Sequence, residues 1–454
     1  MRNILYAVCL VLVLGTACTK SELAPAAKNP QQESEKKNVA ALPHTKQYNA
    51  GVATEWFHLL TNITRTTPYA PPPTARILAY SGIALYESVV PGMPSYQSMY
   101  TYLTKNVITL DKKKDYYWPA AANTALARIA SKLLANYSAT PNLAGIQQLE
   151  NNFNTQFQSQ LTEQQLNLSM DFGRRVADII YDWSKTDGTL TLSGTLAPCP
   201  PYMPLGGAGN WVPTPPGLFP AAGACQGALR TFITGVANTT IPPAPPPFST
   251  VPGSLFYNAA LEVYQNVQNI SSRDLLISQA WRDLLGTNYN TPSHMFKLTA
   301  QIIDKENLDL EKAAEIFAMQ GIANFDAVAA TFHAKFHYAL MRPVTYIRNV
   351  LGFTSWNSIY PTPQHPSYPA VAPAAAGSTI VILEKAFGKN YTFSDSTQKA
   401  LYGTWNYGSF NELLTDVGRS RSHNGLNFQF AVDAGVRQGR MVGEMVSQLP
   451  FKKP

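Results

Sequence analysis

Charge is what this sequence has least of. Lys, Arg, Asp and Glu make up 14% of its residues, against about 25% in an average soluble protein, and no block of five or six like charges appears. Charge-driven disorder is thereby excluded. A nucleic-acid partner is not expected either, although 35 basic residues against 28 acidic ones leave a net charge of +7. Cysteine is scarce: four residues in 454, with no CxxC pair, so a cysteine-built zinc site is not expected. Sustained apolar/polar alternation of the strand type is also missing. What the chain has in excess is proline, 34 residues, and with 45% hydrophobic residues it can bury a large core.

Residues 1–18 have the pattern of an export signal: one basic residue, an apolar run from Ile4 to Leu14, then small residues before Cys18. The run is too short to span a bilayer. Gly15-Thr16-Ala17-Cys18 is similar to a bacterial lipobox, although Leu14 sits one place earlier than usual, and Cys18 is expected to carry a lipid. Residues 19–47 have the Lys, Glu, Gln, Pro and Ala composition of a tether. The expectation is an exported, lipid-anchored protein of the bacterial cell envelope. With Cys9 inside the signal, Cys199 and Cys225 are left for the folded part. In an oxidising compartment they are a candidate disulfide, with two free thiols as the alternative.

The folded part, residues 48–454, reads as all-helical. Ala75, Leu78, Gly82, Leu85 and Val89 recur at three and four after the Pro71-Pro72-Pro73 run. Thr162 and Gln165 suggest a capping box ahead of a segment reaching Lys185. Further helices are expected at 118–136, 256–270, 272–285 and 309–341, the last with Ala323, Ala327, Ala330 and Ala334 along one stripe. Residues 198–252 hold 14 of the 34 prolines and one charged residue, Arg230, which reads as a long ordered loop.

Lys335 and Arg342 lie seven apart, two turns of a helix, and Pro343 tends to end that helix at Arg342. Arg421 is a third candidate. Two guanidinium forks and an ammonium suit a tetrahedral oxyanion, though spacing alone favours solvated surface residues. Lys335-x6-Arg342-Pro343, the HPSYP turn at 365–369 and Ser420-Arg421 resemble the signature of the vanadium-dependent haloperoxidases and type-2 phosphatidic acid phosphatases. Arg65-Thr-Thr-Pro68, IALYESVVPGMP (83–94), WVPTPP (211–216), RPVTYIR (342–348) and AGxxxGRxVG (434–443) extend the resemblance over most of residues 50–447, with the site signature in 323–443. It implies two four-helix bundles, an anion site between helix ends, and vanadate as cofactor.

The resemblance also implies two site histidines, and both positions differ here. Pro369-Ala370-Val371-Ala372 stands where the family has Pro-Ser-Gly-His, and Asn427 where Ser-Arg-x5-His ends. A methyl group carries no proton, and an amide nitrogen has no free lone pair for vanadium or phosphorus. The expectation is a degenerate member whose Lys335, Arg342, Arg421 and Asn427 hold a small oxyanion or anionic small molecule, with a membrane reached through the lipid and a homodimer left open. The alternative is an active haloperoxidase that uses a shifted histidine, His423 or His365. A zinc enzyme built on His333 and His337 lacks both the glutamate, replaced by Ala334, and a third ligand, so no metal site is expected.

Overall fold

The computed structural model describes residues 42–67, 69–138, 143–191 and 193–454. The export signal, Cys9, Cys18 and most of the tether lie outside the described residues. Sixteen α-helices follow within them. The first six are α1 (Gly51–Thr66), α2 (Pro71–Val89), α3 (Met99–Thr104), α4 (Trp118–Ala135), α5 (Ala144–Gln158) and α6 (Glu163–Ser184). The middle of the chain supplies α7 (Val236–Thr239), α8 (Leu255–Gln268), α9 (Ser272–Ala280), α10 (Thr291–Lys305) and α11 (Leu310–Tyr338). The last five are α12 (Pro343–Asn349), α13 (Val371–Phe387), α14 (Lys399–Tyr402), α15 (Phe410–Ser422) and α16 (Gln429–Ser447). No helix among the described residues is long and apolar enough to cross a membrane.

Three boundaries differ from those expected. Helix α2 begins at Pro71 rather than after the prolines, because their fixed φ suits a first turn that needs no N–H donors. Helix α9 stops at Ala280 instead of 285; Asp283 takes the left-handed conformation, φ 53°. Helix α11 ends at Tyr338, where Ala339 turns left-handed at φ 46°. One short antiparallel pair was not anticipated: β1 (Phe393–Asp395) on β2 (Trp405–Tyr407), with Phe393 opposite Tyr407. Of the expected capping box only half forms. Thr162 Oγ1 accepts from Gln165 N at 3.2 Å, while the Gln165 side chain turns to Asp115.

Helix α11 is the central post. It packs on α2 and α13; α2 packs on α4, α4 on α6, and α13 on α15 and α16. Ala323, Ala327, Ala330 and Ala334 are fully buried along it, so the small-residue stripe serves close packing. The α13–α16 contact explains the AGxxxGRxVG run. A Cβ at Gly435 would stand 2.2 Å from Ala370 O, and one at Gly439 would stand 2.1 Å from Ala374 O. Only glycine lets the two backbones approach this closely.

The proline-rich stretch 198–252 is tied down at many points. Both oxygens of buried Asp326, on α11, accept backbone N–H groups, from Phe232 and Ile233, at 2.8 Å each. Burial pushes the Asp326 carboxyl up to about 7. Cys199 and Cys225 form a disulfide with Cα atoms 5.8 Å apart. Hydroxyls of Tyr338, Tyr346 and Tyr368 donate to the carbonyls of Pro242, Ser249 and Pro243.

Candidate functional site

Five helix ends meet where the sequence places its candidate residues. Lys335 leaves the last turn of α11, Arg342 is the N-cap of α12, Ala372 lies in the first turn of α13, Arg421 in the last turn of α15, and Asn427 just before α16. Lys335 and Arg342 do not share a helix. The chain turns at Ala339, and Arg342 sits in extended backbone, φ −84° and ψ 153°, as the following proline requires.

The hub of the site is the turn 365–367. Lys335 Nζ donates to Pro366 O at 2.8 Å and to Ser367 O at 3.3 Å. Arg342 Nε donates to His365 O at 2.8 Å, and its Nη1 to Leu426 O at 2.9 Å. Asn427 Nδ2 donates to Ser367 O at 2.7 Å. The turn itself is docked through Ser367 N, which donates to Leu340 O. The proline-rich loop reaches the same place: Met341 N donates to Gly209 O, Trp211 N to Ala339 O, and Ala222 N to Gln364 O.

The electrostatics of this arrangement are one-sided. Lys335 is 0% exposed, Arg342 1% and Arg421 5%. Among the described residues neither Lys335 nor Arg342 has a carboxylate within ion-pair distance, and Asp283 is the one acid that meets Arg421. Burial, and then the charge of Arg342, holds the Lys335 ammonium well below its usual range. Burial, and then Arg421, brings Arg342 down to about 9. Arg421 Nη2 lies 3.2 Å from Asp283 Oδ2, close enough to pair, yet it makes no aligned hydrogen bond. Buried cations ordinarily come with partners; here the partners are mostly backbone carbonyls.

The two candidate substitute histidines part company. His365 joins the cations: its Nδ1 is 3.1 Å from Arg342 Nη2, and its ring packs 5.2 Å from Phe332. Because a guanidinium has only protons to give, Nδ1 must accept, which puts the neutral ring's proton on Nε2. Burial, Lys335 and Arg342 together hold its titration well below the usual histidine value. His423 belongs to another neighbourhood. Its Nδ1 lies 3.2 Å from Ser422 Oγ, and the charges around it are Asp274, Arg419 and Glu262. Ala372 and Asn427 are buried, Ala372 within an apolar cluster.

Sequence reasoning missed two participants. Asp283 was read as helical interior, and its pairing with Arg421 left no local signal. Ser367, the acceptor for both Lys335 and Asn427, lies inside the HPSYP turn, where the signature and His365 point to no role for it. Among the described residues no group of three or more His, Cys, Asp and Glu side chains could hold a metal ion; His333 is partly buried and His337 exposed.

Comparison with known proteins gives the same fold. Residues 315–452 match the VCPO second helical-bundle domain. A bacterial vanadium-dependent iodoperoxidase superposes with a TM-score of 0.78 at 24% identity, covering 88% of this chain and 96% of its own. Holo- and apo-type bacterial vanadium-dependent chloroperoxidases superpose at TM-scores of 0.63 and 0.65, each 14% identical, over 85% and 84% of this chain and 93% and 94% of theirs. No curated protein matches the chain. Residues 315–452 thus match the VCPO second helical-bundle domain, and over 88% of its length the chain has the fold of a bacterial vanadium-dependent iodoperoxidase.

Proposed function

We propose that this protein is an exported, lipid-anchored and catalytically degenerate relative of the vanadium haloperoxidases, which binds a small oxyanion among Lys335, Arg342 and Arg421. One observation carries the reading: among the described residues three buried cations converge with a single carboxylate, Asp283, and Arg421 Nη2 has no aligned acceptor. A tetrahedral oxyanion supplies both missing elements, negative charge and acceptor oxygens.

The same residues fit vanadate in charge but not in bonding. Ala372 offers a methyl group, and Asn427 an amide whose nitrogen is spent on Ser367 O at 2.7 Å. The lone pair of His365 Nδ1 faces Arg342. A preorganised group of this kind is worth roughly 2.7–4 kcal/mol of transition-state stabilisation, and two are replaced. The lipid anchor rests on Cys18 and the apolar run before it.

The test is bromide oxidation by the purified full chain with vanadate and hydrogen peroxide, beside the Ala372→His/Asn427→His double variant. Activity confined to the double variant is the expected result. Turnover by the unaltered protein would remove the degenerate reading. Metabolic labelling with a fatty acid, lost in Cys18→Ser, checks the anchor separately.

A further inference from the structure

A cavity of about 290 Å³ opens where α2 begins, walled by Pro72, Pro73, Pro198, Leu196 and the Cys199–Cys225 bridge. Its lining includes Arg76, which is 1% exposed. Two of the three guanidinium nitrogens are taken: Nε donates to Asp187 Oδ2 at 2.6 Å, and Nη2 to Ser184 O at 2.8 Å. Nη1 makes no hydrogen bond. Thr189, also lining the cavity, has a buried Oγ1 with no partner. The Tyr137 phenol completes the polar side. Burial raises its titration to about 12, and Arg76 opposes that rise through its charge and a hydrogen bond to the phenol oxygen, while Nη1 keeps no aligned acceptor.

Arg76 Nη1 and Thr189 Oγ1 thus bring two unmatched donors to one apolar-walled space, and both oxygens of the carboxylate beside them are already used. Asp187 spends one oxygen on Arg76 Nε and the other on Thr189 N at 2.8 Å. A second guanidinium, Arg230, lies behind Tyr80 and donates to its hydroxyl at 3.0 Å. Buried donors without acceptors are costly, and a largely apolar pocket with a few convergent polar groups is the usual form of a small-molecule site.

We propose that this cavity binds a small monocarboxylate with a compact apolar body, its carboxylate on Arg76 Nη1 and Thr189 Oγ1 and its body against the prolines and the disulfide. The site is separate from the cation cluster and does not depend on the function proposed above.

The probe is benzoate, titrated calorimetrically into the full chain and soaked into its crystals. Saturable one-to-one binding is expected, with the carboxylate at Arg76 Nη1 in the crystal. Thr189→Val, which deletes one donor, should weaken binding roughly fivefold, the equivalent of one ordinary hydrogen bond. Leu196→Trp, which fills the cavity from a half-exposed position, should abolish it. Both variants should bind phosphate as the unaltered protein does, which keeps this result apart from any failure at Lys335, Arg342 and Arg421. Water alone at Nη1, no binding, or binding indifferent to both substitutions would overturn the proposal.

Discussion

Arg342 and His365 are joined at two points: the guanidinium Nε donates to the His365 carbonyl at 2.8 Å, and Nη2 meets the imidazole Nδ1 at 3.1 Å. The ring therefore acts as an acceptor that steadies a buried cation. This explains how an imidazole lies beside Lys335 and Arg342 without adding a third positive charge.

Burial, then Lys335 and Arg342, fix the sign of the His365 effect. Its folded-state titration lies below the unfolded value, so the unfolded chain binds the extra proton first. The stability it confers is present above the ordinary histidine range and is lost as pH falls through it. NMR titration of the His365 ring should show it neutral where exposed histidines are half protonated. His365→Ala, which leaves Arg342 Nη2 unpaired, should cost about 1–3 kcal/mol in urea unfolding.

Asp283 supplies the cluster's one internal anion. Removing its charge should strengthen oxyanion binding, because a carboxylate a few Å from Arg421 repels any anion seated on the same guanidinium. Coulomb repulsion at an effective dielectric of about 20 over some 7 Å, discounted for partial exposure, leaves a gain of roughly three- to tenfold for Asp283→Asn. The carboxylate also accepts from Thr291 N at 2.6 Å, so a loss of about 1 kcal/mol in stability should accompany the gain.

Asp326 provides a pH signature of the loop anchor. Its folded-state value of about 7 stands above that of the unfolded chain. The folded state therefore holds a proton that the unfolded state releases, and stability falls as pH rises from the ordinary carboxylate range to about 7. Asp326→Asn should remove its share of that slope, which is at most about 4 kcal/mol. Thermal unfolding at pH 5 and pH 8, compared between the two proteins, measures it.

The Cys199–Cys225 bridge closes a loop of 26 residues. On the chain-entropy account, reduction should cost about 3 kcal/mol. Paired denaturation curves with and without reductant decide its size.

Much of this was legible in the sequence, for identifiable reasons. Spacing of three and four from Ala75 to Val89 marks α2, Thr162 marks the start of α6, and Pro343 fixes Arg342 at a helix boundary. Lys335, Arg342 and Arg421 could be named because their neighbours form a recognisable signature. The rest depends on tertiary contacts without local signals. Asp283 reaches Arg421 only because α9 stops early and Asp283 adopts a left-handed turn. The separation of His365 from His423 is likewise invisible in spacing. Both stood near signature residues, but one faces Arg342 and the other Asp274 and Arg419.

The central claim is that Lys335, Arg342 and Arg421 form an oxyanion cradle, and calorimetric titration of phosphate into the full chain tests it most directly. The account predicts one-to-one binding that tightens as pH falls, since the anion favours the protonated Lys335 that burial and Arg342 disfavour. It also predicts loss of that binding in Arg421→Met. An absence of phosphate and vanadate binding throughout, or binding unchanged by Arg421→Met, would contradict it.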